Sequence, residues 1–142
     1  MIVGEIYRHR EFYTDSLSGA LLPKFLLILA LPQGGDVVAR LLTSRHAGTR
    51  PEQPPCHHGD PYPGFYLGIP GSALTTKTWV DLRKLDDLDI DVFNGWLRKG
   101  DITLVTSLAP QQLRATLECA ASADDTTRQQ ERSIRDAIAG LS

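Results

Sequence analysis

The chain has 142 residues, 42% of them hydrophobic and 23% charged, which supports one domain with an ordinary core and excludes a disordered polymer. A formal net charge of −2 excludes recruitment to nucleic acid by bulk charge. A local basic groove stays open, because Arg8, Arg10, Lys24, Arg40, Arg45 and Arg50 fall early while Asp86, Asp87, Asp89, Asp91, Asp124 and Asp125 come late.

Residues 2–8 alternate apolar and polar side chains after Gly4, as a half-buried strand does, and residues 13–19 (Tyr-Thr-Asp-Ser-Leu-Ser-Gly) carry turn chemistry. Two apolar runs follow, residues 24–31 and 36–45, separated by Pro32-Gln33-Gly34-Gly35. Proline ends a strand ladder and glycine supplies the left-handed angles of a tight reversal, so these runs predict a hairpin. Neither run alternates cleanly with polar residues, which predicts strands buried on both faces or central in a strongly curved sheet. In an antiparallel hairpin Lys24 and the Thr43-Ser44-Arg45 terminus lie at the same end.

From 46 to 64 the composition turns to Pro and Gly, which predicts a long loop, and loops of this length in compact domains are commonly functional or disordered. Residues 64–69 and 75–82 read as short strands, the second from its β-branched and aromatic content. Asp89 caps an expected helix through Val92, Phe93, Trp96 and Leu97, and Gly100 ends it. Residues 102–106 read as a final strand, Pro110 as the start of a helix, and Asp124 or Thr126 as the opening of a last helix with a fully polar first half. Strands first and helices last predict class α+β: a small, strongly bent antiparallel sheet or barrel, with helices packed on one side. The expected single domain has a barrel over about 1–107 and C-terminal helices over about 109–140.

Two cysteines, Cys56 and Cys119, are too few for a disulfide framework. No apolar run reaches the length of a membrane span, and the N-terminus has no signal-peptide pattern. The expectation is a cytoplasmic protein with no membrane partner.

Gly4-Glu5-Ile6-Tyr7 resembles the opening strand of the MazF/PemK-like ribonuclease toxins, and Lys24 followed by residues 25–29 is similar to their basic residue and apolar strand. Residues 37–42 with Thr43-Ser44-Arg45 are similar to the next strand, residues 78–82 with Arg83-Lys84-Leu85 to a later one, and residues 108–113 to the closing helix. The resemblance implies an SH3-like barrel, a homodimer, and an endoribonuclease that cleaves single-stranded RNA without a metal or other cofactor. It also implies a partner antitoxin that holds the enzyme inactive. Three features depart from the family pattern: Lys24 stands where Arg is usual, the 46–64 segment is longer and richer in Pro, and the polar last helix is an addition. Lysine is a point charge without the bidentate fork of arginine, so the first departure bears on phosphate binding.

Metal-free RNA cleavage requires deprotonation of a ribose hydroxyl, stabilisation of the phosphorane and protonation of the leaving oxygen. The expected catalytic set is Lys24, Thr43, Ser44, Arg45 and His46: cations and hydroxyls on the phosphate, with His46 as proton carrier. The alternative for these positions is solvated polar groups at strand ends; His9 is a second histidine for the proton step, also with a surface alternative. Arg8, Tyr62, Phe65 and Tyr66 are the expected RNA contacts, the rings by stacking on bases or else by packing. Cys56-His57-His58-Gly59-Asp60 has metal-binding residue types, but zinc sites usually space two ligand pairs apart, so a solvated loop is the expectation and no metal site is assigned. A non-catalytic barrel that binds protein or RNA is the rival reading.

Overall fold

A computed structural model describes residues 1–44, 52–60 and 62–141, and gives seven strands and three helices among them. Strand β1 (Glu5–Thr14) begins only after Gly4, whose φ of 93° turns the chain into the sheet. A Cβ on Gly4 would lie 2.8 Å from Leu113 Cδ2, so both the angle and the space call for glycine. The strand outruns the expected residues 2–8, and the turn is confined to the next few residues, where the Ser18 backbone N–H and hydroxyl both donate to Asp15 Oδ2.

Strands β2 (Leu21–Ala30) and β3 (Val38–Thr43) form the expected hairpin, with Leu26 opposite Leu41 and Ile28 opposite Ala39. Its reversal uses Gly34 at φ 71° and a hydrogen bond from Gly35 N–H to the Pro32 carbonyl. Within the Pro-rich region a two-residue strand β4 (Cys56–His57) pairs with β5 (Gly64–Gly68), which pairs in turn with β6 (Thr78–Asp81). Helix α1 (Ile90–Lys99) is capped as its sequence predicts: Asp89 Oδ1 accepts from the Asp91 and Val92 amides, and Gly100 closes the end at φ 77°. Strand β7 (Ile102–Ser107) returns beside β1. Helix α2 (Pro110–Ser122) has Pro in its first turn, and α3 (Arg128–Ala139) opens on a capping box between Thr127 and Gln130.

All pairings are antiparallel and the strand order is β4-β5-β6-β3-β2-β1-β7, which makes the architecture α+β. Strands β4 and β7 are the edges, so the sheet is open in its hydrogen bonding among the described residues. Both faces are covered. Leu27, Leu29, Val38 and Leu42 pack with Leu113 and Leu117 of α2 and Ile134 of α3. Leu26, Ile28, Val37 and Ala39 pack instead with Tyr7, Ile102 and Phe93 of α1. Alternate residues of β2 therefore serve opposite cores, which is why the run shows no polar alternation. The helices do not gather on one side as expected: α1 takes the face opposite α2 and α3, since an apolar face left by the central hairpin needs its own cover.

Arg40 breaks the apolar pattern of β3 while being fully buried. Its Nη1 donates to the Ala39 and Leu85 carbonyls at 2.8 and 3.3 Å, and its Nη2 donates to Gln130 Oε1 at 2.9 Å. Gln130 Nε2 donates onward to the Leu85 carbonyl and Asp87 Oδ1. The polar first half of α3 is thus pinned to the sheet through a buried amide rather than wholly solvated. Burial lowers the Arg40 pKa, and the carboxylates of Asp87, Asp125 and Asp81 act against that shift. No helix among the described residues is long and apolar enough to cross a membrane.

Candidate functional site

Because β2 and β3 are antiparallel, the start of one and the end of the other meet at one end of the sheet. There Pro23, Lys24 and Phe25 line a cleft of about 460 Å³ with Leu42, Thr43 and Ser44. The far wall comes from the connection between β5 and β6: Ala73, Leu74, Thr75 and Thr76, then Thr78. That connection is shaped by Gly71 at φ 95° and Ser72 at φ 57°, and by reciprocal backbone hydrogen bonds between Gly71 and Leu74. Thr78 is buried, with its Oγ1 turned back to the Thr76 carbonyl at 2.9 Å; Thr43 is half-buried, and Ser44, Thr75 and Thr76 are exposed.

Among its described lining residues the cleft holds one cation, Lys24, and no carboxylate. Lys24 Nζ lies 5.6 Å from the centre of the Tyr13 ring. A lysine with several hydroxyl donors and no acid suits an anionic oxygen ligand such as a phosphodiester. The sequence anticipated Lys24, Thr43 and Ser44 together; it missed Thr75 and Thr76, whose only signal was the hydroxyl-rich run read as strand. Arg45 and His46 lie outside the described residues.

The expected RNA contacts do not gather at this cleft. Arg8 sits half-buried in β1 between Phe25 of β2 and Thr103 of β7. The Tyr62 ring lies 3.8 Å beneath the Arg83 guanidinium, which Asp81 holds through both carboxylate oxygens. Phe65 is corrected: at 3% exposure it belongs to the core beneath α2, so its ring has no open face for a base. Tyr66, its neighbour on β5, is half-buried with its ring 4.9 Å from that of Trp79. Two of the three expected stacking residues are therefore in ring contacts of their own, and the third is core.

His9 also departs from its surface reading. It is 7% exposed, edge-on to the rings of Phe12 and Trp96, and its Nδ1 accepts the Glu11 amide N–H at 3.1 Å. Burial lowers its pKa more than the nearby carboxylates of Asp101 and Glu11 raise it. The unfolded chain then takes up this proton more readily than the folded one. Stability is complete above about pH 6.5 and falls as pH drops toward the depressed value. Unfolding free energies from urea titrations between about pH 7.5 and 5 are expected to decline less for His9→Gln than for the wild type, the difference in slope not exceeding about 1.4 kcal/mol per pH unit. Parallel profiles for the two proteins would remove His9 as the titrating group.

The Cys56–Asp60 segment divides in two. His57 Nε2 donates to the Asp60 carbonyl at 2.8 Å, whereas His58 Nε2 lies 3.1 Å from Cys56 Sγ and 3.4 Å from Cys119 Sγ. Cys119 reaches this group from α2 and is joined to Cys56 in a disulfide. Read separately in the sequence, the two cysteines are neighbours across 63 positions.

No protein-family model, no curated protein and no solved structure matches this chain.

Proposed function

We propose that the cleft at the Lys24, Thr43 and Ser44 end of the sheet binds the phosphodiester of single-stranded RNA. On this reading the chain is a toxin-type, metal-independent endoribonuclease similar to the MazF/PemK toxins, its antiparallel strands curled as an SH3-like barrel. One observation carries it: a cation and five hydroxyl side chains share one cleft whose described lining has no carboxylate. Lys24 offsets phosphate charge, and Thr43 and Ser44 donate to its non-bridging oxygens as charge builds on the phosphorane. Arg45 adds a second cation. His46, two residues beyond Ser44 in the chain, removes the proton of the attacking ribose hydroxyl and returns one to the leaving oxygen. Arg8, Tyr62 and Tyr66 contact flanking nucleotides. The reading also carries a homodimer, a cytoplasmic location and a partner antitoxin.

A second reading, a non-catalytic RNA-binding module, is favoured by one observation. No histidine, cysteine or carboxylate lines the described cleft, so the proton step rests on His46 alone.

Purified protein incubated with a long mixed-sequence RNA in chelator separates the two. The enzyme reading expects discrete fragments, a cleavage rate lower by about 100-fold or more in Lys24→Ala, and a similar loss in His46→Ala. The module reading expects intact RNA that is still retained by the protein, more weakly at higher salt and in Lys24→Ala. Folded protein that neither cuts nor retains RNA defeats both.

A further inference from the structure

A cluster that shares no residue with the cleft carries its own chemistry. We infer that Cys56, His58 and Cys119 form a zinc-type metal site when the Cys56–Cys119 bond is reduced, and that the disulfide is the metal-free form of that site. The three donor atoms lie within 4.8 Å of one another. They come from the edge strand β4, the residue that follows it, and the buried side of α2. Soft thiolates with an imidazole are the donor set that selects zinc over magnesium or calcium.

The spacing supports a metal rather than an incidental histidine. Tetrahedral zinc, at about 2.3 Å from sulfur and about 2.0 Å from imidazole nitrogen, sets an S···N edge of about 3.5 Å and an S···S edge of about 3.8 Å. The observed S···N edges are 3.1 and 3.4 Å, one to each sulfur. His58 therefore already stands near ligand spacing from both, and only the sulfurs need to part. A disulfide sulfur is a poor hydrogen-bond acceptor, so the oxidised pair gives an exposed histidine little reason to approach both atoms. Two thiolates and a metal give it one. Cys119 is 4% exposed while His58 is exposed, so metal and reductant reach the site from the histidine side, where a water completes the fourth position.

The chemistry balances as follows. A dithiol reductant delivers two electrons and two protons to the disulfide, leaving two cysteine thiols and the oxidised, cyclic reductant. Zinc then binds both sulfurs and neutral His58 with release of the two thiol protons. Peroxide reverses the change: the zinc dithiolate, hydrogen peroxide and two protons yield disulfide, free zinc ion and two waters. In a reducing compartment the site holds metal, and in an oxidising one it is closed.

Cobalt(II) is the probe, added to the full chain in anaerobic buffer with and without prior reduction by a phosphine. The reduced chain is expected to bind one equivalent, with the thiolate-to-cobalt charge-transfer band and the intense visible bands of a tetrahedral site. One equivalent of zinc should erase both. The oxidised chain should show neither. Cys119→Ser should abolish the charge-transfer signature, and His58→Ala should weaken binding by at least about 100-fold, beyond the loss that follows removal of an outer-shell partner. If reduction unfolds the chain, the same titration is followed by circular dichroism, and zinc-dependent refolding lost in His58→Ala sustains the site. Reduced protein without the cobalt bands, or refolding indifferent to zinc, or binding unchanged in His58→Ala, overturns it.

Discussion

Arg40→Ala is expected to lower stability by about 3–5 kcal/mol, a fall of roughly 10–15 °C in Tm, whereas Arg40→Met should cost about 2 kcal/mol less. The guanidinium is fully buried where β3, the 82–88 connection and α3 meet. Truncation to Ala leaves a cavity the size of a long side chain and removes a positive charge that the carboxylates of Asp87, Asp125 and Asp81 favour. Methionine removes the same charge but fills most of the space. The two acceptors that Arg40 reaches on other elements keep a second donor each: the Leu85 carbonyl accepts from Gln130 Nε2, and Gln130 Oε1 accepts from the Thr127 amide. Few polar atoms are orphaned, so volume should decide the ranking. Equal losses for Ala and Met in urea titration would mean that charge decides instead. A double-mutant cycle with Gln130→Ala should return a coupling of at least about 0.5 kcal/mol, since the two side chains touch.

What the sequence revealed and what it hid divide by distance along the chain. Asp89, Gly100 and Pro110 marked helix ends because capping and proline geometry act within a few residues. The hairpin was legible from Gly34 and Gly35 between two apolar runs, and with it came the meeting of Lys24 with Thr43 and Ser44, which antiparallel pairing enforces. Arg40 is the contrary case. Its apolar neighbours imply a buried strand, but nothing near it in sequence shows what satisfies a charge there, because its amide partner is 90 positions away. Cys119 likewise looked unrelated to the Cys56–Asp60 loop until α2 packed over the edge of the sheet. Phe65 was open to either face of a short strand, and only the docking of α2 determines which face is core. Thr75 and Thr76 belong to the cleft through the path of the β5–β6 connection, which strand propensity alone does not describe.

Phe93→Ala tests the second face of the sheet, and about 3–5 kcal/mol of destabilisation is expected. The side chain is fully buried, edge-on to Tyr7 at 5.7 Å and tilted against Trp96 at 5.9 Å between ring centres. It is the fully buried aromatic by which α1 covers Leu26, Ile28 and Ala39, with Ile90, Trp96 and Leu97 only partly buried around it, so truncation opens a cavity beneath a ten-residue helix. A helix of that length does not hold itself together in water. The loss should therefore show first as local opening: amide exchange in α1 should accelerate more than in α2 or α3, which rest on the opposite core. Phe93→Leu, which keeps most of the volume, should cost under half as much, and Val92→Ala on the exposed side of the same helix about 0.5 kcal/mol or less. Uniform acceleration across all three helices would mean that the two cores open together rather than separately. Accelerated exchange confined to α1 would show that the two cores served by alternate residues of β2 open independently.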